Sequence, residues 1–316
     1  MQKDSDKQEF PESMLGPYRV LDLADEKGLL CGKLLGDLGA DVIKIERPGG
    51  DIARRLGPFF HDEPHPEKSL FWFAYNTSKR GITLNLESFD GQAIFKRLAK
   101  TADIIIESFS PGYLDKFNLG YAELAKINPG LILVSISPFG QAGPYRDYKG
   151  PDIVAWATGG EMAPFGDPDR PPLRIGHHSQ AFLHAAADAA SGALLALFSR
   201  WKNGEGEHVD VSVQEAVVNC TEHITSRWDL IKFLQNRNAG PGGPGIRLTR
   251  IWPCKDGFVS WFFWEGVMSV STNVPFVQWM LAEGMADDFL AKYDWSKFTS
   301  LTPQDEVDRI EGATAR

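Results

Sequence analysis

A doubly wound α/β fold with a second, smaller α+β domain is what the sequence predicts, and three observations carry that expectation. Strand-like and helix-like segments alternate from Tyr18 to about Gln214. Two of the strand segments, DIIIES and LILVSIS, are apolar enough to be covered on both faces, as in a parallel sheet. Further on, AGPGGPG at residues 239–245 interrupts the chain, and beyond it the composition turns aromatic.

In order, YRVLDL (18–23) alternates and is rich in strand formers. GLLCGKLLGDLG (28–39) sets Leu30, Leu34, Leu35 and Leu38 at helical spacing and stops at Gly39. DVIKIE (41–46) is a second strand, broken by Arg47-Pro48-Gly49-Gly50. Strand, helix, strand over this span is a βαβ unit with a right-handed crossover. ITLNL (82–86) is the next strand, followed by a helix from Ser88 to Ala99 with Ser88 as N-cap. DIIIES (103–108), a short helix at 120–127 and LILVSIS (131–137) extend the alternation. Residues 138–175, studded with proline and glycine, predict a long ordered excursion over the surface. A small-residue helix from Ala181 to Phe198 stops at Asn203-Gly204, and a strand at 208–213 leads into a helix from Gln214. Within IWPCKDGFVSWFFWEG, Lys255-Asp256-Gly257 marks a hairpin-like turn, and short helices complete the chain. The expected organisation is a flexible arm at 1–16, a large Rossmann-like domain at 17–238 and a small domain at 239–316.

Bulk properties exclude some functions. The chain has 316 residues, 43% hydrophobic and 24% charged, as in an ordinary globular protein of roughly two domains. A formal charge of -9 argues against a general nucleic-acid binder. Cys31, Cys220 and Cys254 lie too far apart for a disulfide framework or zinc spacing, which fits a reducing compartment. The N-terminal MQKDSDKQEFPES has no signal-peptide core, and no apolar run reaches the roughly 18 residues of a membrane span. The expectation is a cytoplasmic protein with no membrane or nucleic-acid partner.

For chemistry, the G-x-G-x-x-G, P-loop and G-x-S-x-G signatures are all absent. Arg47 follows a predicted strand at the sheet edge where open α/β folds bind ligands, either as a phosphate ligand or as a solvated loop cation. Lys79, Arg80 and Lys116 also flank predicted strands, and together these cations suggest a phosphorylated small ligand. His184 and Asp188 share a helix face at i, i+4, either as an acid–base or nucleophilic pair or as polar residues at a junction. His177-His178 has no third ligand at motif spacing, so no metal is expected.

Four segments in order, LDL…GLLCGKLLGDLGADVIKIERPGGD, NTSKRGITLNLES, ADIIIESFSPGYLDKFNLGYAELAKINPGLILVSISPFGQAGPY and GALLALFSRWKNGEGEHVDVSVQEAV, resemble the class III CoA-transferase family. Formyl-CoA transferase, carnitine CoA-transferase and α-methylacyl-CoA racemase are among that family's members. The resemblance runs from residue 17 to about 220, and IWPCKDG matches the start of the family's smaller domain. It implies coenzyme A or acyl-CoA as cosubstrate, carboxylic acid substrates, and an interlocked homodimer or a heterodimer with a related subunit. Carried over by position, CoA contacts fall on Arg47, Leu84, Asn85, Ser108, Phe109, Lys116 and Ser137. The family's Gly-Pro at the first helix is Gly28-Leu29 here, preceded by Asp25, Glu26 and Lys27.

Two departures matter. The family attacks the thioester with an aspartate about ten residues ahead of the glycine matched by Gly192, and that position falls on Ala181 or Phe182. Asp188 is roughly 9 Å further along the helix. The chain also stops at EGATAR, where the family continues and returns to the large domain. Three functions therefore stay open. One is a CoA-transferase with a relocated carboxylate, Asp188 or Glu161. Another is a non-catalytic subunit of a heteromeric CoA-transferase. The third is an acyl-CoA racemase or epimerase using His177, His178 or His184.

Overall fold

A computed structural model describes residues 13–166, 169–176, 179–234, 237 and 246–315. His177, His178, the glycine–proline run at 239–245 and residues 1–12 of the arm lie outside the described residues. The described residues form two compact units: one runs to Glu161 and takes in Arg174–Cys220, the other holds Met162–Leu173 and the chain from Thr221. That division falls ahead of the expected 238/239 boundary, because the helix from Glu222 groups with the second unit.

The first unit is built on six parallel strands: β1 (Arg19–Asp22), β2 (Asp41–Glu46), β3 (Lys79–Thr83), β4 (Ile104–Glu107), β5 (Ile132–Ser137) and β6 (His208–Ser212). Their order is β3-β2-β1-β4-β5-β6, with every neighbouring pair parallel. This doubly wound order reverses direction between β1 and β4, which opens a crevice at the carboxyl ends of those strands. Helices α1 (Leu29–Asp37) and α6 (Gln180–Asn203) pack on each other, and α6 also packs on β5. A core of Leu21, Ile43, Phe95, Ile105, Leu124 and Leu133 brings together strand residues with side chains of α3 (Phe89–Ala99) and α4 (Tyr121–Ile127). Ser88 caps α3 by accepting from the Gly91 N–H at 3.1 Å, as its type and position predict.

Three expectations are corrected. β3 begins at Lys79 rather than Ile82, because the Lys79 ammonium is buried against Asp22 and its polarity does not exclude it from the sheet. The excursion at 138–175 contains a helix, α5 (Asp152–Thr158), whose buried Asp152, Ala155 and Trp156 recur at i, i+3, i+4. α6 has 24 residues, and the 18-residue window within it reaches a mean hydropathy of 1.5, the length and composition of a membrane span. In this fold its alanine-rich stripe, from Ala181 and Ala185 to Ala193 and Ala196, is buried in the core. Alanine lets α6 lie close to its neighbours.

α2 (Leu70–Tyr75) and α7 (Val213–Cys220) complete the first unit. The second unit has its own core, in which Phe263, Leu290, Phe298, Val307 and Ile310 are fully buried. It holds α8 (Glu222–Ile231), the hairpin of β7 (Ile251–Cys254) and β8 (Gly257–Ser260), α9 (Ser269–Ala282), α10 (Asp288–Lys292) and α11 (Gln304–Thr314). The hairpin turns through Lys255-Asp256, as expected.

Candidate active site

The crevice at the strand reversal is a real cavity. It measures about 700 Å³ and is lined by the loops that follow β1, β2, β3 and β4. From these loops come Asp25 and Lys27, Arg47 and Asp51, Leu84 and Asn85, and Ser108 and Phe109. Of the seven expected contacts, Arg47, Leu84, Asn85, Ser108 and Phe109 therefore line one cavity. Lys116 and Ser137 are not part of that lining. Lys116 is exposed on a short 3-10 turn, and Ser137 is buried at the end of β5 with its Oγ unpartnered.

The β2 loop is held rigidly, which fixes where Arg47 sits. Glu46 accepts from the Asp51 N–H at 2.9 Å and from two of the three Arg54 guanidinium nitrogens, Nε at 2.6 Å and Nη2 at 2.8 Å. Burial pushes the Glu46 carboxyl up, and the Arg54 guanidinium with the Asp51 N–H more than offsets this, holding it below the usual range. Arg54 lies 4.0 Å over the Trp72 ring, and Asp51 caps the next turn by accepting from the Ala53 N–H at 2.8 Å. Between these staples Gly49 and Gly50 take φ of 89° and 84°, which a side chain would strain. Arg47 itself stays exposed, with a single 3.4 Å bond to the Gly50 carbonyl.

Lys79 and Arg80 do not join Arg47. Both lie at the opposite, amino end of β3 and are already paired. Lys79 Nζ donates to Asp22 Oδ2 at 2.8 Å and to the Leu29 carbonyl at 2.8 Å, and Arg80 holds Asp41 at 2.6 Å. Their role is to tie β1, β2 and β3 together.

The β1–α1 loop carries acids that sequence reasoning did not assign. Asp25 Oδ1 accepts from Ser108 Oγ at 2.8 Å, and Lys27 pairs with the same carboxylate. Burial, with Asp25 and then Asp152 and Asp51 nearby, raises the Glu26 carboxyl above its ordinary range. Asp152 connects this loop to α6. Its Oδ1 accepts from the Ala181 N–H at 2.8 Å, and its Oδ2 is buried without a partner. Burial raises the Asp152 carboxyl, and its bonds from the Ala181 and Phe182 N–H groups only partly oppose this. Asp152 went unnoticed in the sequence because nothing marked α5 as a helix.

At the first turn of α6, Ala181 and Phe182 are both buried. His184 and Asp188 are exposed on the same helix, and Asp188 accepts from Asn219 Nδ2 at 3.4 Å. Glu161 is buried, and burial raises its carboxyl.

The model of CoA-transferase family III matches residues 15–268. Among curated proteins, the chain is 37% identical over 275 residues to succinyl-CoA:(R)-benzylsuccinate CoA-transferase subunit BbsE of Thauera aromatica, covering 85% of this chain and 64% of that protein. It is 39% identical over 283 residues to succinyl-CoA–D-citramalate CoA-transferase of Chloroflexus aurantiacus, covering 89% of this chain and 67% of that one. The chain thus spans about two thirds of the length of these relatives. A CAIB/BAIF family protein from Brucella suis superimposes with a TM-score of 0.79 at 29% identity, over 96% of this chain and 77% of that one.

Proposed function

The chain belongs to CoA-transferase family III, and from that premise we propose that it binds CoA thioesters in the crevice above β1 to β4 and takes part in CoA transfer between carboxylic acids as a subunit lacking the family's aspartate. One observation carries this reading. The first turn of α6, where the resemblance puts the nucleophile, presents buried Ala181 and Phe182, and its Ala181 N–H is bonded to Asp152. Attack on the thioester by the route the resemblance implies needs a carboxylate at that point. The name of the Thauera aromatica relative, a subunit of a CoA-transferase, supports a heteromeric assembly.

In this proposal the exposed Arg47 receives CoA phosphate at the cavity rim, bidentately and without losing a pre-existing carboxylate partner. Leu84, Asn85, Ser108 and Phe109 line the path inward, and Tyr113, stacked on Phe109 at 4.6 Å, firms that wall. Lys116 and Ser137 are left out of the set. A related subunit supplies the attacking carboxylate in a heterodimer, and this chain binds and orients the thioester.

The reading is tested by incubating the chain with succinyl-CoA and hydroxylamine, then mapping modified carboxyl groups by mass spectrometry, with CoA binding measured separately by calorimetry. The expected result is CoA binding with no hydroxamate on any Asp or Glu of this chain. A hydroxamate at Asp188, Glu161 or Asp152 would sink the subunit reading, and absence of CoA binding would sink the site.

A further inference from the structure

One turn beyond Ala181, α6 carries a second arrangement that the transferase reading leaves unused. His184 Nδ1 lies 3.5 Å from Cys220 Sγ, the last residue of α7. The Trp156 ring meets the His184 ring edge-on at 5.7 Å, which fixes the imidazole plane. Glu161, 7% exposed and with its Oε2 buried and unpartnered, is the first charge that acts on the Cys220 thiol. Asp188, one turn on from His184, is the second.

We propose that Cys220 is a covalent acyl acceptor, with His184 as its base. The proposal rests on the reading that this chain binds acyl-CoA. Among the described residues no three His, Cys, Asp or Glu side chains are placed to hold a metal ion. A nucleophile held against a base, with an acid close by, is instead the arrangement of covalent catalysis. The distance is also suitable: His184 lies three residues from Ala181, about 4.5 Å along the helix, while Asp188 lies about 10 Å along it.

The step balances without any further reactant. The Cys220 S–H bond breaks and its proton moves to His184 Nδ1 as Sγ bonds to the acyl carbon. The bond from that carbon to the CoA sulfur breaks, and the departing thiolate takes the proton from His184. One thioester replaces another, so the exchange is close to thermoneutral. Burial, followed by Glu161 and Asp188, raises the Cys220 thiol, so it stays protonated at rest. Attack therefore depends on His184 taking the proton as the new S–C bond forms. Cys31, fully buried and pushed further up, is silent, and exposed Cys254 serves as the internal control.

The experiment incubates the whole chain with succinyl-CoA and maps acylated cysteines by mass spectrometry, in wild type, Cys220→Ser, His184→Ala and Cys254→Ser. CoA affinity is measured in parallel. The expected result is one acyl group on Cys220, removed by hydroxylamine, unchanged in Cys254→Ser, absent in Cys220→Ser and slowed at least tenfold in His184→Ala with CoA affinity intact. Iodoacetamide labelling of Cys220 should slow in His184→Ala as well, a change that a purely structural histidine would not produce. Acylation of Cys254 in preference to Cys220, or none with CoA bound, would overturn the proposal. Failure to bind CoA would instead overturn the transferase reading beneath it.

Discussion

The Asp152 carboxylate reaches from α5 to within 2.8 Å of the Ala181 N–H and so caps α6 from outside the helix. Ser179, at the N-cap position itself, has φ of 40° and makes no side-chain cap bond. Asp152 therefore takes the place of the local cap, at the cost of burying a carboxylate whose second oxygen has no partner. Asp152→Ala should cost about 1–2 kcal/mol, seen as a melting temperature lower by roughly 2–8 °C. Asp152→Asn keeps an accepting oxygen and removes the buried charge, so it should equal or exceed wild type at pH 8. A melting temperature for Asp152→Asn as low as that of Asp152→Ala would show that the charge, rather than the hydrogen bond, holds α6.

Beneath the cavity, Asp22 is fully buried between two lysines, Lys79 at 2.8 Å and Lys44 at 3.7 Å. Burial pushes the Asp22 carboxyl up and the two ammonium groups more than reverse this, leaving it lowered. Gly32 is required here, since a Cβ would come within 2.3 Å of Asp22 Oδ2. Lys79→Met removes the closer partner and should lower unfolding free energy by about 3–5 kcal/mol, read from the urea midpoint. A loss below about 1 kcal/mol would mean that Lys44 alone satisfies Asp22.

Much of this architecture was legible because its signals were local. Most strands of the large sheet were found where an apolar run met a breaker, and Arg47 was placed by the rule that ligands sit at the carboxyl ends of parallel strands, while Ser108 came from the family resemblance. The misplacements came where a distant partner overrode local character. Lys79 was grouped with the cations expected to meet a phosphorylated ligand, yet Asp22, 57 residues away, draws it into the sheet. Asp152 and α5 were hidden in a proline-rich stretch, because the acceptor role of Asp152 depends on α6, 29 residues further on. Cys220 and His184 are 36 residues apart and meet only when α7 folds against α6. No spacing rule could have paired them.

Arg47 is exposed at the cavity rim and its weak bond to the Gly50 carbonyl costs little to break. Arg47→Ala should therefore weaken CoA binding about tenfold or more, the value of a charge-assisted bond, without changing stability. Lys116→Ala, outside the lining, should leave affinity unchanged. Arg54→Ala should do both kinds of damage, because it frees Glu46 and the loop that positions Arg47. Equal losses of affinity from Arg47→Ala and Lys116→Ala, measured by calorimetry, would place the phosphates elsewhere.

Glu107 ends β4 directly before the cavity residues Ser108 and Phe109, is 6% exposed, and accepts from the Phe109 N–H at 2.7 Å. Burial pushes its carboxyl up to about 7, against hydrogen bonds from Ser135 and Phe109 that favour the ionised form. Ser135 Oγ lies in turn 2.8 Å from His208 Nε2 on the neighbouring strand. A raised carboxyl binds its proton more tightly in the folded chain than in the unfolded one. Its contribution to stability is thus fully present below the unfolded value near 4.5 and is lost as pH rises through about 7. The amount at stake is on the order of 3 kcal/mol. Glu107→Gln retains an acceptor for the Phe109 N–H and offers a donor to Ser135, and it does not titrate. The wild type should lose more stability than Glu107→Gln between pH 5 and pH 8, in urea unfolding of each at both values. Other titrating groups cancel in that difference, so parallel pH slopes for the two proteins would show that Glu107 is ionised in the folded chain across the whole range.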